Sequence, residues 1–196
     1  MEDKAIQQLR VILERQGAKI DTVEPVPDQG SLEKVRLFNM GDYLVFFGEK
    51  PKIAEKDLTT WMRFAEESQQ KTKIVIVTNS KPSQYVETVL RSVIEKKKVL
   101  YFHIRELQID VAQHRMFPPH FLFDDKYKKA NPPVVERYNR FKIKNPDEEL
   151  PRLDCLDIGA RLVGATPGDI VYIRRHSDTG GYVDYWRRVV TDVNLD

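Results

Sequence analysis

The sequence predicts an α+β protein built in two parts, and three observations carry that expectation. First, the run Lys73-Ile74-Val75-Ile76-Val77-Thr78, an amphipathic helix and a second strand, Val99–Ile104, follow one another. Strand, helix and strand within about 30 residues make a βαβ unit with a parallel pair. Second, Leu150–Asp196 reads as one short helix on a two-stranded ribbon. Third, Pro118, Pro119, Pro132 and Pro133 interrupt the stretch between them, as expected where one core stops and another begins. The division expected is an α/β domain over 1–111, a linker over 112–120 and a small α+β domain over 121–196.

The elements follow in order. Lys4–Gln16 keeps Ala5, Ile6, Leu9, Ile12 and Leu13 on one face, and Gly17 ends it. Ala18–Gly30 holds two prolines and has no strong period, so a connection with a short extended piece is expected. Arg36–Met40 and Tyr43–Phe47 form a hairpin around Gly41-Asp42. Ile53–Ala65 is helical, with Ile53, Leu58, Trp61, Met62 and Ala65 packed, and Gln69–Thr72 is a polar break. The strand Lys73–Thr78 is β-branched throughout, the pattern of a strand buried on both faces. Pro82 is expected as the first residue of the next helix, whose face is Tyr85, Val89, Val93 and Ile94.

Phe121–Ile143 is a proline-interrupted, partly helical approach, with Asn131 as a cap and Pro132 in the first turn. Beyond it, Asp154 with Asp157 predicts a capped, acidic helix start. Leu156, Ala160 and Val163 follow at helical spacing, and Gly164 supplies a left-handed stop. Thr166-Pro167-Gly168-Asp169 is turn chemistry. Ile170–Arg175 and Tyr182–Val190 are the ribbon strands, joined by Ser177–Gly181.

Composition sets bounds. Charged residues are 32 % and the formal net charge is only +2, so composition by itself announces no nucleic-acid tail. A single cysteine, Cys155, excludes an internal disulfide and every multi-cysteine metal motif. Its place beside a helix cap predicts a packed thiol and not a nucleophile. No stretch approaches the ~20 apolar residues of a membrane span, and Met1–Gly17 is charged throughout, unlike a signal peptide. A cytosolic or nuclear location, or one in an intracellular assembly, is expected.

Chemical constellations are sparse. His114 and His120 stand six apart with no cysteine near, which suits imidazole hydrogen bonds at a hinge and not a zinc site. His176-Ser177-Asp178 holds the residue types of a hydrolase triad, but consecutive turn residues do not converge as one. Asp42, Glu49 and Lys52 fit the frame of a metal-dependent nuclease only when forced, and the strand that should carry a carboxylate pair, Lys73–Thr78, has none. No cofactor and no metal is expected.

A family resemblance joins these pieces. Leu150-Pro151-Arg152-Leu153, Asp157-Ile158-Gly159-Ala160-Arg161, Gly168-Asp169-Ile170-Val171 and Ser177-Asp178-Thr179-Gly180-Gly181, closed by Tyr182–Arg187, stand in a fixed order. They resemble the C-terminal assembly domain of the fifth-subunit family of eukaryotic RNA polymerases and of its archaeal counterpart. Val45–Ile53, Asn79–Ser83, Glu106–Val111 and His114–His120 resemble that family's N-terminal jaw domain and hinge. The resemblance covers about Tyr43 to Val190. Ile158-Gly159 replaces the family's Pro-Val, and the hairpin lacks the usual Arg before its tyrosine. The segment before Tyr43 is shorter than in typical eukaryotic members. The resemblance implies a divergent member, of the kind a large DNA virus encoding its own polymerase, or a divergent protist, would carry.

The resemblance implies a non-catalytic subunit of a DNA-directed RNA polymerase, present once per complex and not as a homo-oligomer. Its jaw would be a trimmed restriction-endonuclease-like domain bordering downstream duplex DNA, with Lys81, Pro82 and Ser83 facing the duplex. Its C-terminal domain would dock on the largest subunit through Pro151, Arg152, Arg161, Arg174, Tyr182, Tyr185 and Arg187. Alternation along the strands sends the members of Arg174-Arg175 and of Arg187-Arg188 to opposite faces. Location would be the nucleus for a cellular protein, or a viral compartment or virion for a viral one. The alternative is a free-standing nucleic-acid-binding or nuclease-like protein on the same fold.

Overall fold

The computed structural model describes residues 2–27, 32, 34–67, 73–96, 99–177 and 179–193. The chain is mixed α+β and divides into two compact units, Met1–Asp110 and Val111–Asp196.

In the first unit, among the described residues, five strands form one sheet in sequence order. They are β1 (Val23–Val26), β2 (Val35–Met40), β3 (Tyr43–Gly48), β4 (Lys73–Thr78) and β5 (Val99–His103). β1, β2 and β3 run antiparallel, whereas β3, β4 and β5 run parallel. The expected hairpin is present: Met40 pairs with Tyr43, leaving a two-residue loop whose Gly41 takes φ +56°. A β-carbon resists that conformation, which is why glycine opens the turn. β3 is buried along its whole length and β4 nearly so, the expected consequence of two covered faces.

Two helices join the parallel strands, α2 (Glu55–Glu67) and α3 (Gln84–Lys96). α2 buries Leu58, Trp61, Met62 and Ala65 as expected, and also Phe64. Trp61 stacks on Phe46 at 5.6 Å between ring centroids, and Phe64 meets Phe46 edge-on at 6.5 Å. α3 corrects two expectations. Its buried stripe is Val86, Leu90 and Ile94, while Tyr85 is exposed. Its cap is Ser83, whose Oγ accepts from Val86 N at 3.4 Å, so Pro82 lies outside the helix. The serine hydroxyl satisfies a free amide of the first turn, and the phase of the helix follows from that start. The polar break over 69–72 lies outside the described residues.

The helix α1 (Glu2–Arg15) buries Ala5, Leu9, Ile12 and Leu13. It ties to the end of the unit through Arg15, which pairs with Asp110 at 2.5 Å. A 3-10 turn, Ile104–Gln108, follows β5 and carries a capping box. His103 Nδ1 accepts from Arg105 N, and Glu106 accepts from His103 N at 2.8 Å.

The second unit holds a four-stranded sheet instead of a two-stranded ribbon. Its order is β6 (His120–Leu122), β8 (Ile170–Ser177), β9 (Gly181–Val190), β7 (Arg152–Asp154). The two outer strands have three residues each, too few for any period to register; pairing with the ribbon makes them strands. His120 faces Ile173 in antiparallel register, and Leu153 faces Val189 in parallel register. The helices are α4 (Asp125–Ala130), α5 (Pro132–Asn139), α6 (Pro146–Glu149) and α7 (Ile158–Leu162).

One sheet face centres on Tyr172 and Trp186, packed with Phe123, Val134 and Leu150. Tyr127 and Tyr138, from α4 and α5, close over them. Asn131 does precede Pro132 at the start of α5, but its side chain donates back to Tyr127 O instead of capping. On the other face, α7 lies against β6. The cap of α7 is Asp157, whose carboxylate accepts from Gly159 N at 2.7 Å. Asp154 instead turns the chain out of β7 by accepting from Leu156 N, so Leu156 stands before the helix. The side chain of Asp154 competes with helix formation locally, as short polar residues do. Gly164 ends the segment at φ +68°.

Candidate docking and nucleic-acid surfaces

The loop after β4 is pinned from below. The Thr78 hydroxyl donates to Ser80 O at 2.8 Å and shares a 2.7 Å hydrogen bond with the Tyr101 hydroxyl. Both are rooted in parallel strands, so the loop is set at the carboxyl edge of the sheet, where open α/β sheets present their ligand sites. A shallow apolar crevice runs beside it, lined by Ile53, Leu58, Pro82, Val86 and Leu90. Pro82 is half-buried against that crevice, whereas Lys81 and Ser83 are exposed. Lys81 makes no ion pair among the described residues. The Ser83 hydroxyl is engaged in capping, so Lys81 and the first amides of α3 are what remains to meet an anion. Glu55 stands near, accepting from the Tyr85 hydroxyl at 2.8 Å. Thr78 and Tyr101 are absent from the sequence expectations, because a buried hydroxyl pair leaves no periodic signal.

Both carboxylates of the nuclease frame are engaged elsewhere. Asp42 pairs with Lys73 at 3.3 Å and Glu49 with Arg36 at 2.7 Å. Among the described residues no group of three or more His, Cys, Asp or Glu side chains is placed to hold a metal. The Cys155 thiol is buried and donates to Thr191 O at 3.3 Å, a packed thiol as expected. No described helix is long and apolar enough to cross a membrane.

In the second unit the β8–β9 hairpin outruns its neighbours. Pairing with β6 ends at Ile173, beyond which Arg174 N still donates to Pro119 O at 3.1 Å, and pairing with β7 begins at Arg188, so the hairpin tip, Arg175–Ser177 with Gly181–Val183, ladders only with itself. Register assigns the faces. Tyr172, Arg174, His176, Tyr182, Asp184, Trp186 and Arg188 share one side, and Ile173, Arg175, Val183, Tyr185 and Arg187 the other. The two members of each arginine pair therefore do lie on opposite faces.

Arg174 places its guanidinium 4.3 Å from the ring centroid of Tyr182, which is 60 % exposed. His176 meets the same ring edge-on at 5.5 Å. Beneath them Asp184 holds the structure together. It accepts from the Tyr172 hydroxyl at 2.5 Å and from Arg137 of α5. Burial and that carboxylate push the Tyr172 phenol up to about 12. On the opposite face Tyr185 is 41 % exposed, and Arg187 donates to the Arg152 carbonyl at 3.1 Å. Pro151 and Arg152 are exposed at the start of β7, where the Pro151 carbonyl accepts from Arg188 N. Arg161 differs from the other six: it is only 6 % exposed and lies within the α7 segment.

His120, expected as a hinge imidazole, sits beside α7. Its Nδ1 hydrogen-bonds the Pro118 carbonyl at 2.7 Å, and its ring stacks on Phe117 at 5.0 Å. Burial lowers its pKa from the usual histidine value, against the raising effects of that carbonyl and Asp157. Gly159 gives it room: a β-carbon there would stand 2.5 Å from Cδ2 and 2.9 Å from Cε1 of the imidazole. His114 Nδ1 accepts from Met116 N at 3.3 Å.

Comparison with known proteins bears on both units. The family described as RNA polymerase Rpb5, C-terminal domain, matches residues 109–189. The DNA-directed RNA polymerase subunit Rpo5 of Pyrococcus horikoshii is 33 % identical over 85 residues, 43 % of this chain and 94 % of the relative. The DNA-directed RNA polymerases I, II, and III subunit rpabc1 of Dictyostelium discoideum is 27 % identical over 144 residues, 72 % of this chain and 68 % of the relative. Its counterpart in Caenorhabditis elegans is 29 % identical over 147 residues, 74 % of this chain and 65 % of the relative. The matched stretch thus spans about two thirds of the eukaryotic relatives.

Proposed function

Because the chain belongs to the RNA polymerase Rpb5 family, we propose that it is a non-catalytic subunit of a multisubunit DNA-directed RNA polymerase. It acts mechanically and electrostatically. The second unit is the assembly domain and docks on the largest subunit; the first unit is the jaw and borders downstream duplex DNA. The chain passes from the one to the other at Asp110–Val111, so that 112–120, expected as a linker, open the second unit. Transcription then sets its location, in a nucleus for a cellular enzyme or in a viral compartment for a viral one.

The observation that carries this reading is the free hairpin of the second unit. Arg174, Tyr182, Tyr185 and Arg187 stand on a ribbon whose tip, Arg175–Ser177 with Gly181–Val183, pairs with no further strand among the described residues, and arginine and tyrosine are the residues interfaces favour as anchors. Pro151 and Arg152 extend the same surface at β7. Arg161, being buried, supports the α7 segment instead of touching a partner. In the jaw, Lys81 with the start of α3 suits a phosphate and not a base edge, so contact with DNA is sequence-independent.

Two substitutions test the two units separately. Arg174→Glu combined with Tyr182→Ala should strip the chain from the largest subunit. Lys81→Glu should leave assembly intact and weaken the assembled enzyme's hold on duplex DNA a few-fold at low salt, fading as salt rises. Full assembly of the hairpin variant contradicts the docking assignment. Unchanged duplex affinity of the Lys81 variant at low salt contradicts the jaw assignment.

A further inference from the structure

Net positive charge is concentrated in a stretch of the chain that holds none of the docking or DNA-facing residues just assigned. Lys126 to Lys144 holds seven Lys or Arg residues and one Glu, a net +6 in a chain whose total is +2, which leaves −4 for everything else. This stretch is α4 after its first residue, Asp125, together with α5 and the loop beyond. Lys126, Lys129, Arg140, Lys142 and Lys144 are exposed, and none of them forms an ion pair among the described residues. Two of the three acids that follow are engaged: Glu149 accepts from the amides of Lys144 and Asn145, and Asp147 pairs with Arg188 at 2.6 Å.

Phe141 sits in the middle of the last three cations and is 62 % exposed. It is not loose. Its ring stands edge-on to Trp186 at 5.6 Å, and Phe141 N donates to Tyr138 O at the end of α5. Trp186 contacts Tyr138 at 5.6 Å, Tyr138 contacts Phe123 at 5.0 Å, and the Lys128 ammonium lies 5.2 Å above Phe123. Lys128 of α4, which also pairs with Asp125 at 3.6 Å, and the cations beside Phe141 therefore stand at the two ends of one run of ring contacts. Favourable interaction with the carboxyl end of α5 accounts for Arg140. It accounts neither for Lys142 and Lys144 beyond that end nor for an anchored aromatic ring left open between them.

We propose that this surface binds single-stranded nucleic acid, with the cations on the phosphates and the open face of Phe141 stacked on a base. Fixed cations beside an immobilised aromatic face are the two parts such a surface needs, and both tolerate any sequence. An acidic protein segment would use the charges but has no use for a flat, exposed ring. The inference rests on the side chains of the second unit and not on the family assignment.

The test is fluorescence anisotropy of the full chain with labelled oligo-dT, oligo-rU and a duplex, across a salt series. Lys142→Gln with Lys144→Gln should lower the log–log salt slope for single strands by about 1.4, since each lost phosphate contact removes about 0.7. Phe141→Leu keeps the apolar contact with Trp186 but removes the flat face. It should weaken single strands roughly tenfold, leave the duplex unchanged, and keep the salt slope, whereas Phe141→Trp should restore binding. Lys81→Glu, in the other unit, should leave single-strand affinity as it is. Comparable loss with oligo-dT and oligo-rU fits a surface that reads no 2′-hydroxyl; a loss confined to oligo-rU makes RNA its ligand. Wild-type affinity of Phe141→Leu in a protein of unchanged circular dichroism overturns the proposal. So does poly-glutamate that displaces the strands as well as unlabelled oligo-dT.

Discussion

Gly159→Ala tests the packing of α7 against β6 with one added methyl group. The new β-carbon would stand 2.5 Å from His120 Cδ2 and 2.9 Å from Cε1, so the imidazole must move. It has little freedom to do so: the Pro118 carbonyl holds Nδ1 at 2.7 Å, Phe117 stacks on the ring, and β6 is laddered to β8. Overpacking of this kind costs about 1–3 kcal/mol. Alanine recovers up to about 1 kcal/mol over glycine inside a helix, and less in one of five residues. The net expectation is a loss of about 1–2 kcal/mol. The assay is urea denaturation followed by Trp186 fluorescence in a Trp61→Phe background, since the chain has two tryptophans. In a His120→Ala background the obstruction is gone, and Gly159→Ala should then be neutral or stabilising. Equal destabilisation in both backgrounds refutes the reasoning, as does a stabilised Gly159→Ala single variant.

Burial depresses the His120 pKa, so the folded protein resists protonation there while the unfolded chain does not. Stability from this group is full above the unfolded value near 6.5 and is lost as pH falls below it toward the depressed folded value; His120→Gln should flatten that part of a urea-midpoint profile. Tyr172 has the opposite slope: its phenol, raised to about 12, contributes stability below pH ~10 that is lost as pH rises through the folded value. Tyr172→Phe should remove that alkaline loss. Asp184→Ala leaves the Tyr172 hydroxyl and Arg137 without their shared acceptor and should cost about 1–3 kcal/mol, more than Tyr172→Phe, in the same denaturation assay. A fragment spanning 111–196 should melt cooperatively by circular dichroism, because its core is built from its own residues.

What is legible in the sequence depends on length and on locality. α1, the β2–β3 hairpin, β4 and the β8–β9 ribbon are long enough for their periods to show, and their turn glycines sit where chain reversal requires them. β6 and β7 are invisible as strands, because three residues carry no period and only the ribbon's free edges make them strands. The α3 stripe reads one position early over most of its length: Tyr85, Val89 and Val93 repeat as well as Val86 and Leu90 do, the Ser83 cap selects between them, and of the expected face Ile94 alone is buried. Asp154 and Asp157 both have cap chemistry, and the choice between them rests on where β7 ends. Arg161 reads as surface by charge, yet the fold buries it. The Thr78–Tyr101 pair under the Lys81 loop joins residues 23 apart and leaves no local trace. The charge of α4–α5 is in plain sight but averages away when counted over half the chain.

The central claim is membership in a working polymerase, and co-isolation tests it most directly. The tagged full chain is recovered from its native cells, and the largest polymerase subunit in the eluate is quantified against it. One copy of this chain per copy of the largest subunit is expected, in particles that transcribe. Recovery of the chain alone, or in complexes that lack the largest subunit, contradicts it.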